Sequence, residues 1–236
     1  MSTEKHTFFC ANPDSGVLSP EESNHAVRVL RLDQGMLIGL LDGKGNYHVA
    51  EIKIAHKKSL AFEIIETDSA KPKKPQLHIA IAPTKSMDRF SFFVEKAIEI
   101  GVQRITPLLC SNSERKTINE EKLIKQAIGA LKQSGQYYLT QIDPLQSLNS
   151  FFDNIESDQQ RFIAHCENDH TKKALFQNCN VDKNILILIG PEGDFTPEEI
   201  TLAKENGFLP VSLGESRLRT ETAGIVACHT VSLLSS

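Results

Sequence analysis

Apolar residues recur in two rhythms along this chain, and the change between them falls near residue 70. Before it, residues 36–41, 47–54 and 60–65 are short runs rich in β-branched side chains, separated by glycine turns such as the "DGKG" of 42–45. Runs of that length between such turns predict a small antiparallel β unit. A short helix should precede them. Ser19, Pro20 and Glu22 make a capping box with proline at the first helical position, and Ala26, Val27 and Leu30 follow at helical spacing. Past residue 75 the rhythm becomes strand, then helix. Residues 77–82 alternate as a strand, and 88–100 place Phe93, Ala97 and Ile100 on one helical face that ends at Gly101. Residues 105–109 predict a strand and 120–133 a helix. Further short strands are expected at 162–165, 185–189 and 210–213, with helices starting near Pro197 and Thr220. The unbroken "ILILI" of 185–189 fits a central parallel strand covered on both faces. Such alternation predicts an α/β domain with a parallel sheet.

Between the two rhythms lies "DSAKPKKP", residues 68–75, whose two prolines and three lysines make a stiff, solvated connector. Domains over residues 1–70 and 71–236 follow. A length of 236 residues leaves each room for a core, and 40% hydrophobic with 24% charged residues is ordinary for a globular protein. "MSTEKHTFFC" lacks the basic and apolar regions of a signal peptide, and the aliphatic run 185–189 is too short to cross a bilayer. A soluble cytoplasmic protein without membrane partners is expected. The five cysteines are widely spaced and include no C-x-x-C pair, which points away from a zinc ribbon or a disulfide framework. A net charge of −4 argues mildly against a nucleic-acid binder but does not exclude a local basic patch.

Two stretches carry the candidate chemistry. In "ILILIGPEGDFTPEEI" a buried strand runs into Gly190-Pro191-Glu192-Gly193, and Thr196 to Glu199 then form a second capping box. Ligands of open α/β sheets bind beyond the carboxyl ends of the strands, where a glycine-flanked turn lets the backbone approach closely. A tight connection with nothing bound is the alternative. No G-x-G-x-x-G or P-loop occurs, so nicotinamide and P-loop nucleotide sites lack their marks. "LGESRLRTETAG" repeats the arrangement: a strand ends near Gly214, and Thr220 or Thr222 could cap the final helix. Glu221 suits a helix N-terminus, whereas Arg217 and Arg219 oppose its dipole. Those arginines are better explained by an anionic or electron-rich partner, such as a nucleic-acid phosphate or a ligand carboxylate. "AHCENDH", residues 164–170, offers His165, Cys166, Glu167 and His170, but the spacing matches no standard metal site. No metal is expected. Hydrolase chemistry lacks a G-x-S-x-G motif.

Together these motifs resemble the bacterial 16S ribosomal RNA uridine-N3 methyltransferases, a family of SPOUT-class enzymes. "HAVRVLRL" with "DGKGNY", then Lys85, Asp88, Arg89, "EKAIEIGV" and "ALKQS", then "IGPEGDFTPEE" and "LRTETA" carry the likeness over nearly the whole chain. The chain departs from the family pattern at Ser216-Arg217, where Arg-Ile is usual, and at Ser111-Asn112-Ser113, where an acidic-Arg-Ser run is usual.

The resemblance implies a PUA-like β-barrel that binds RNA, then a SPOUT-type parallel-sheet domain with a C-terminal trefoil knot, in a homodimer. It implies S-adenosylmethionine held by Gly190, Pro191, Glu192, Gly193, Leu213, Gly214, Ser216, Leu218 and Thr222. Arg219, Thr220 and Glu221 would face the uridine, with His25, Arg28, Arg31, Arg89 and Arg217 on the RNA. The partner would be 16S rRNA, within the small ribosomal subunit or its precursor, methylated at uracil N3 (family target uracil 1498). A catalytically inactive RNA-binding module of the same fold is the competing reading.

Overall fold

Ser19 starts the first helix, α1 (Pro20–Asn24), by accepting the Glu22 N–H at 3.3 Å on its hydroxyl. The second half of the expected capping box is diverted. The Glu22 carboxylate takes the Lys132 ammonium at 2.6 Å and lies 3.5 Å from the Phe9 nitrogen. α1 continues as a π-helical turn over His25–Val29, closed by the Leu30 N–H on the His25 carbonyl at 3.0 Å. Arg31 then adopts φ 56, and the Leu32 N–H reaches back to the Ala26 carbonyl at 3.0 Å. Helix ends of this kind usually take glycine, so an arginine there costs about 1 kcal/mol.

The computed structural model describes residues 6–155, 157–167 and 172–235. It divides into one unit built from the chain up to Pro72 with Leu131–Leu139, and another from Lys73–Ala130 with the chain from Thr140 onward. In the first unit β1 (Thr7–Phe9), β2 (Leu37–Leu41), β3 (Asn46–Ile54) and β4 (Ala61–Ser69) form a sheet in that order. β2, β3 and β4 are antiparallel, as the turns predict, while the three-residue β1 joins β2 in parallel. Phe8, Ile38, Leu40, Ala50, Ile52 and Leu60 are fully buried there. β4 runs into the stretch read as connector. Asp68 and the Ala70 carbonyl accept the hydroxyls of Tyr137 and Tyr138 at 2.8 and 2.9 Å, which ties the start of that segment to the tyrosines.

The second unit alternates strand and helix: β5 (Leu77–Ile81), α2 (Met87–Ile100), β6 (Arg104–Leu109), α3 (Glu120–Ser134), β7 (Gln141–Ile142), β8 (Gln146–Ser147), α4 (Leu148–Phe152), β9 (Gln159–Ala164), β10 (Lys173–Ala174), α5 (Leu175–Asn178), β11 (Asn184–Ile189), α6 (Pro197–Glu205), β12 (Leu209–Ser212) and α7 (Thr220–Leu234). Residues 131–134 of α3 group with the first unit. The strands run β10-β12-β9-β11-β5-β6-β7, with β8 also on β6, and every pairing is parallel. β5 is buried along its whole length and β11 from Ile185 on, as an apolar run covered on both faces requires.

Two helix starts differ instructively. α6 has the full capping box: the Thr196 hydroxyl accepts the Glu199 N–H at 3.2 Å, and the Glu199 carboxylate accepts the Thr196 N–H at 2.9 Å. α7 has none. Arg219 stands at its N-cap without a side-chain bond, so neither Thr220 nor Thr222 caps it as expected. The Thr220 hydroxyl donates instead to the Gly190 carbonyl at 3.1 Å. α7 packs on α2, β5 and β11, and Gly224 permits the contact, since a Cβ there would sit 2.5 Å from the Phe93 ring.

Toward the amino ends of β5 and β6, His78 Nε2 lies 2.7 Å from the Thr106 hydroxyl, which bonds Asp143. Asp143 also accepts Arg104 Nε and Gln141 Nε2, each at 2.7 Å. Burial opposes ionisation of Asp143, but these hydrogen bonds prevail and hold its carboxyl below the ordinary value. Burial, helped by the Arg104 charge, pushes His78 down to about 3. Folded protein thus keeps His78 neutral where the unfolded chain, with a pKa near ~6.5, takes up a proton. The unfolded state binds more protons between these two values, so stability should fall as pH drops through that window. Denaturant unfolding at about pH 7 and about pH 4.5 checks this: His78→Gln should show a smaller loss than the parent chain, and an equal loss would contradict it.

Candidate active site

In this strand order the chain steps from β5 to β6 and β7 on one side, then returns to β9, β11 and β12 on the other. β11 occupies the gap between β5 and β9, so the loops leaving these strands converge where the connections reverse. Two adjoining cavities open there. One, of about 270 Å³, is lined by residues including Ile189, Gly190, Pro191, Glu192, Asp194, Arg219 and Thr220. The other, of about 320 Å³, takes in Val211, Ser212, Leu213, Gly214, Glu215 and Ser216 with His165 and Lys172. Ala164, Cys166, Arg217, Leu218 and Ala223 line both, making one divided cleft. Gly214, at φ 147 with nothing within 4 Å of a would-be Cβ, keeps the backbone open to it. A third cavity, of about 310 Å³, sits by Leu77, Ile100 and Ser235, at the opposite ends of the strands from where such sheets bind ligands.

The turn after β11 is held from every neighbouring loop. Asp194 N–H closes it on the Pro191 carbonyl at 2.9 Å, with Asp194 at φ 63. The Asp194 carboxylate accepts the N–H groups of Phe195 at 2.8 Å and Cys166 at 2.6 Å. Asn112 Nδ2 donates to the Gly193 and Asp194 carbonyls, both at 3.1 Å. The Glu192 carboxylate accepts the Lys85 N–H at 2.9 Å, and its carbonyl takes Arg217 Nη2 at 3.3 Å. Arg115 fixes the loop before α2 by donating to the carbonyls of Thr84 at 3.1 Å and Lys85 at 2.6 Å. Asn112, Arg115, Asp194 and Cys166 were not singled out for these positions by sequence. Only the apposition of three strand exits gives them a task, although an arginine two residues past Ser113 was a usable signal.

Glu221, in the first turn of α7, is 8% exposed. Its Oε1 lies 3.9 Å from Arg89 Nε on α2, and its Oε2 is buried with no hydrogen-bond donor among the described residues. The carboxylate thus sits beside a half-exposed arginine and one residue from the cleft-lining Thr220, while Glu221 itself lines neither cavity. Burial pushes the Cys166 thiol up, Asp194 adds to this, and Arg217 and Lys172 oppose it.

The expected site residues divide as follows. Gly190, Pro191, Glu192, Leu213, Gly214, Ser216, Leu218, Arg217, Arg219 and Thr220 line the cleft. Gly193 packs on Asn112, and Thr222 is exposed on α7; neither lines either cavity. Arg89 stands against Glu221. His25, Arg28 and Arg31 are exposed around the π-helical turn of the first unit. Of the "AHCENDH" run, His170 lies outside the described residues, while His165 and Cys166 line the cleft.

Residues 71–232 match the family model of the RNA methyltransferase domain, and 18–65 that of the RNA methyltransferase PUA domain, which defines the class as RNA methyltransferases. The ribosomal RNA small subunit methyltransferase E of Buchnera aphidicola is 30% identical over 89% of this chain and 84% of its own. The crystal structure of a probable rRNA-methyltransferase from Porphyromonas gingivalis is 37% identical, with a TM-score of 0.91 over 97% of this chain and 98% of that one. That of a ribosomal RNA small subunit methyltransferase E from Neisseria gonorrhoeae, bound to S-adenosyl methionine, is 26% identical with a TM-score of 0.86 over 98% of both. The chain belongs to the ribosomal RNA small subunit methyltransferase E family. Its α/β fold, with an all-parallel sheet and a small PUA-like sheet domain, is the SPOUT-type fold expected.

Because the Gly190 carbonyl is buried, Thr220→Val should leave it unsatisfied and cost about 1–3 kcal/mol. Denaturant unfolding measures this, with Thr220→Ser restoring most of the loss. A change of only a few tenths of a kcal/mol would contradict the role given to this bond.

Proposed function

We propose that this methyltransferase transfers a methyl group from S-adenosylmethionine to N3 of one uracil in 16S rRNA, uracil 1498 in the family's target numbering. The observation that carries the proposal is the cleft between two strand-exit loops, bordered at the start of α7 by Arg219 and Thr220, with the buried Glu221 next in the chain. The cleft fits the cofactor. Ala164, Ile189, Leu218 and Ala223 offer an apolar wall for its base, the open backbone at Gly214 allows close approach, and Glu192 supplies negative charge toward a sulfonium. When bound, the cofactor supplies an electrophilic methyl group. No helix among the described residues is long and apolar enough to cross a membrane.

The remaining chemistry belongs to this chain. N3 of uracil carries a proton at neutral pH and is a poor nucleophile until the proton leaves. Glu221 is placed to accept it or to orient the neighbouring arginines, and Arg219 to stabilise the negative charge that develops on the ring. Thr220, its hydroxyl committed to Gly190, positions these two rather than touching the base. Backbone groups of 190–192 and 213–218 hold the cofactor, Gly193 packs on Asn112 behind them, and Asn112 and Arg115 keep the neighbouring loops in place. His25, Arg28 and Arg31 offer exposed basic and aromatic contacts for RNA, so binding should weaken steeply with salt. The homodimer and the trefoil knot implied by the resemblance belong to the same proposal. The half-exposed Phe92 of α2 and Leu233 of α7 supply apolar surface for a second copy.

Arg219→Ala should lower methyl transfer to small-subunit particles about 10²–10³-fold while leaving S-adenosylmethionine affinity nearly unchanged. Radiolabelled transfer and calorimetry read the two quantities. Near-normal turnover would overturn the assignment of Arg219. RNA binding with no transfer by the parent protein would favour the inactive binding module.

A further inference from the structure

We infer that Arg217 binds the carboxylate at the amino-acid end of the cofactor and so sets which ligands the cleft prefers. The inference rests on the cofactor reading above and concerns a residue that the resemblance assigned to RNA. Five described residues line both cavities, and Arg217 is the one charged side chain among them. It stands at the partition, where a ligand spanning the two spaces must pass.

Among the described residues, the hydrogen bonding of Arg217 leaves most of its donors for such a partner. Its Nη2 donates to the Glu192 carbonyl at 3.3 Å, a long bond to a neutral acceptor. A guanidinium carries five N–H donors in a planar fork that matches a carboxylate edge. The other cations are engaged or placed differently. Lys172 Nζ donates to the His165 carbonyl at 3.0 Å and to that of Glu167. Arg219 lines only the cavity next to α7, beside the proposed base site. The Asp194 carboxylate, which lines the same cavity, accepts the N–H groups of Cys166 and Phe195. Arg217 also opposes the burial that raises the Cys166 thiol, so its charge is felt at another residue that lines both cavities.

A ligand with a free α-carboxylate therefore gains a charge-assisted pair that one without it does not. S-adenosylhomocysteine and 5′-methylthioadenosine separate the two cases, because the second keeps the nucleoside and thioether but lacks the amino-acid end. Calorimetry with the full-length protein should show Arg217→Met weakening S-adenosylhomocysteine about 10–100-fold, with 5′-methylthioadenosine changed by less than about twofold. Arg217→Lys, which keeps the charge but not the fork, should fall between parent and Arg217→Met for the first compound only. Equal loss for both compounds would overturn the inference, since Arg217 would then only shape the loop. Unchanged S-adenosylhomocysteine binding would also overturn it and return Arg217 to the RNA side. A parent protein that binds neither compound would instead overturn the cofactor reading itself.

Discussion

Just past β11, a strand buried on both faces, the Gly190 carbonyl is itself buried, and the Thr220 hydroxyl satisfies it. The bond ties the exit of β11 to the first turn of α7. Because α7 is seated on α2 and β5 through the close approach at Gly224, the start of α7 inherits the rigidity of the core. Arg219 and Glu221 flank Thr220 and are placed by the same bond. An unsatisfied buried carbonyl costs about 1–3 kcal/mol, enough to select one arrangement of the loop over its alternatives.

The rest of the site follows from the parallel sheet. β5, β6, β9, β11 and β12 all point the same way, so their exits lie along one edge and can brace one another. Asn112 and Arg115 reach from the β6 exit, Lys85 from that of β5, and Cys166 from that of β9. Asp194 sits in the left-handed region at the centre of these contacts, a conformation that aspartate tolerates and its neighbours enforce. In the first unit Arg31 has a similar backbone conformation. A net charge of −4 does not itself oppose an RNA substrate, since phosphates respond to the nearby surface rather than the sum.

Much of the second unit was legible in its hydrophobic rhythm. The buried runs of β5 and β11, the Gly101 end of α2 and the Thr196 cap of α6 are local features, and each formed where the pattern placed it. Elements of two or three residues, such as β1, β7 and β10, carry too little pattern to be read and form because a neighbouring strand offers an edge. The Ser19 box was half right, since Lys132, distant in sequence, claims Glu22. The start of α7 misled for the same reason: Thr220, which looks like a cap, is redirected by a carbonyl 30 residues away. Likewise the roles of Asn112 and Arg115 exist only once three loops meet. Specific motifs pointed to the strand exits that line the cleft; tertiary contacts decide how each side chain there is held.

Mapping of modified nucleosides in 16S rRNA tests the central claim most directly. Cells lacking this protein should lose N3-methylation at a single uridine, with other modifications intact, and the parent gene should restore it while the Arg219→Ala form should not. An unchanged uridine pattern in the deletion, or loss of a different modification, would contradict the account.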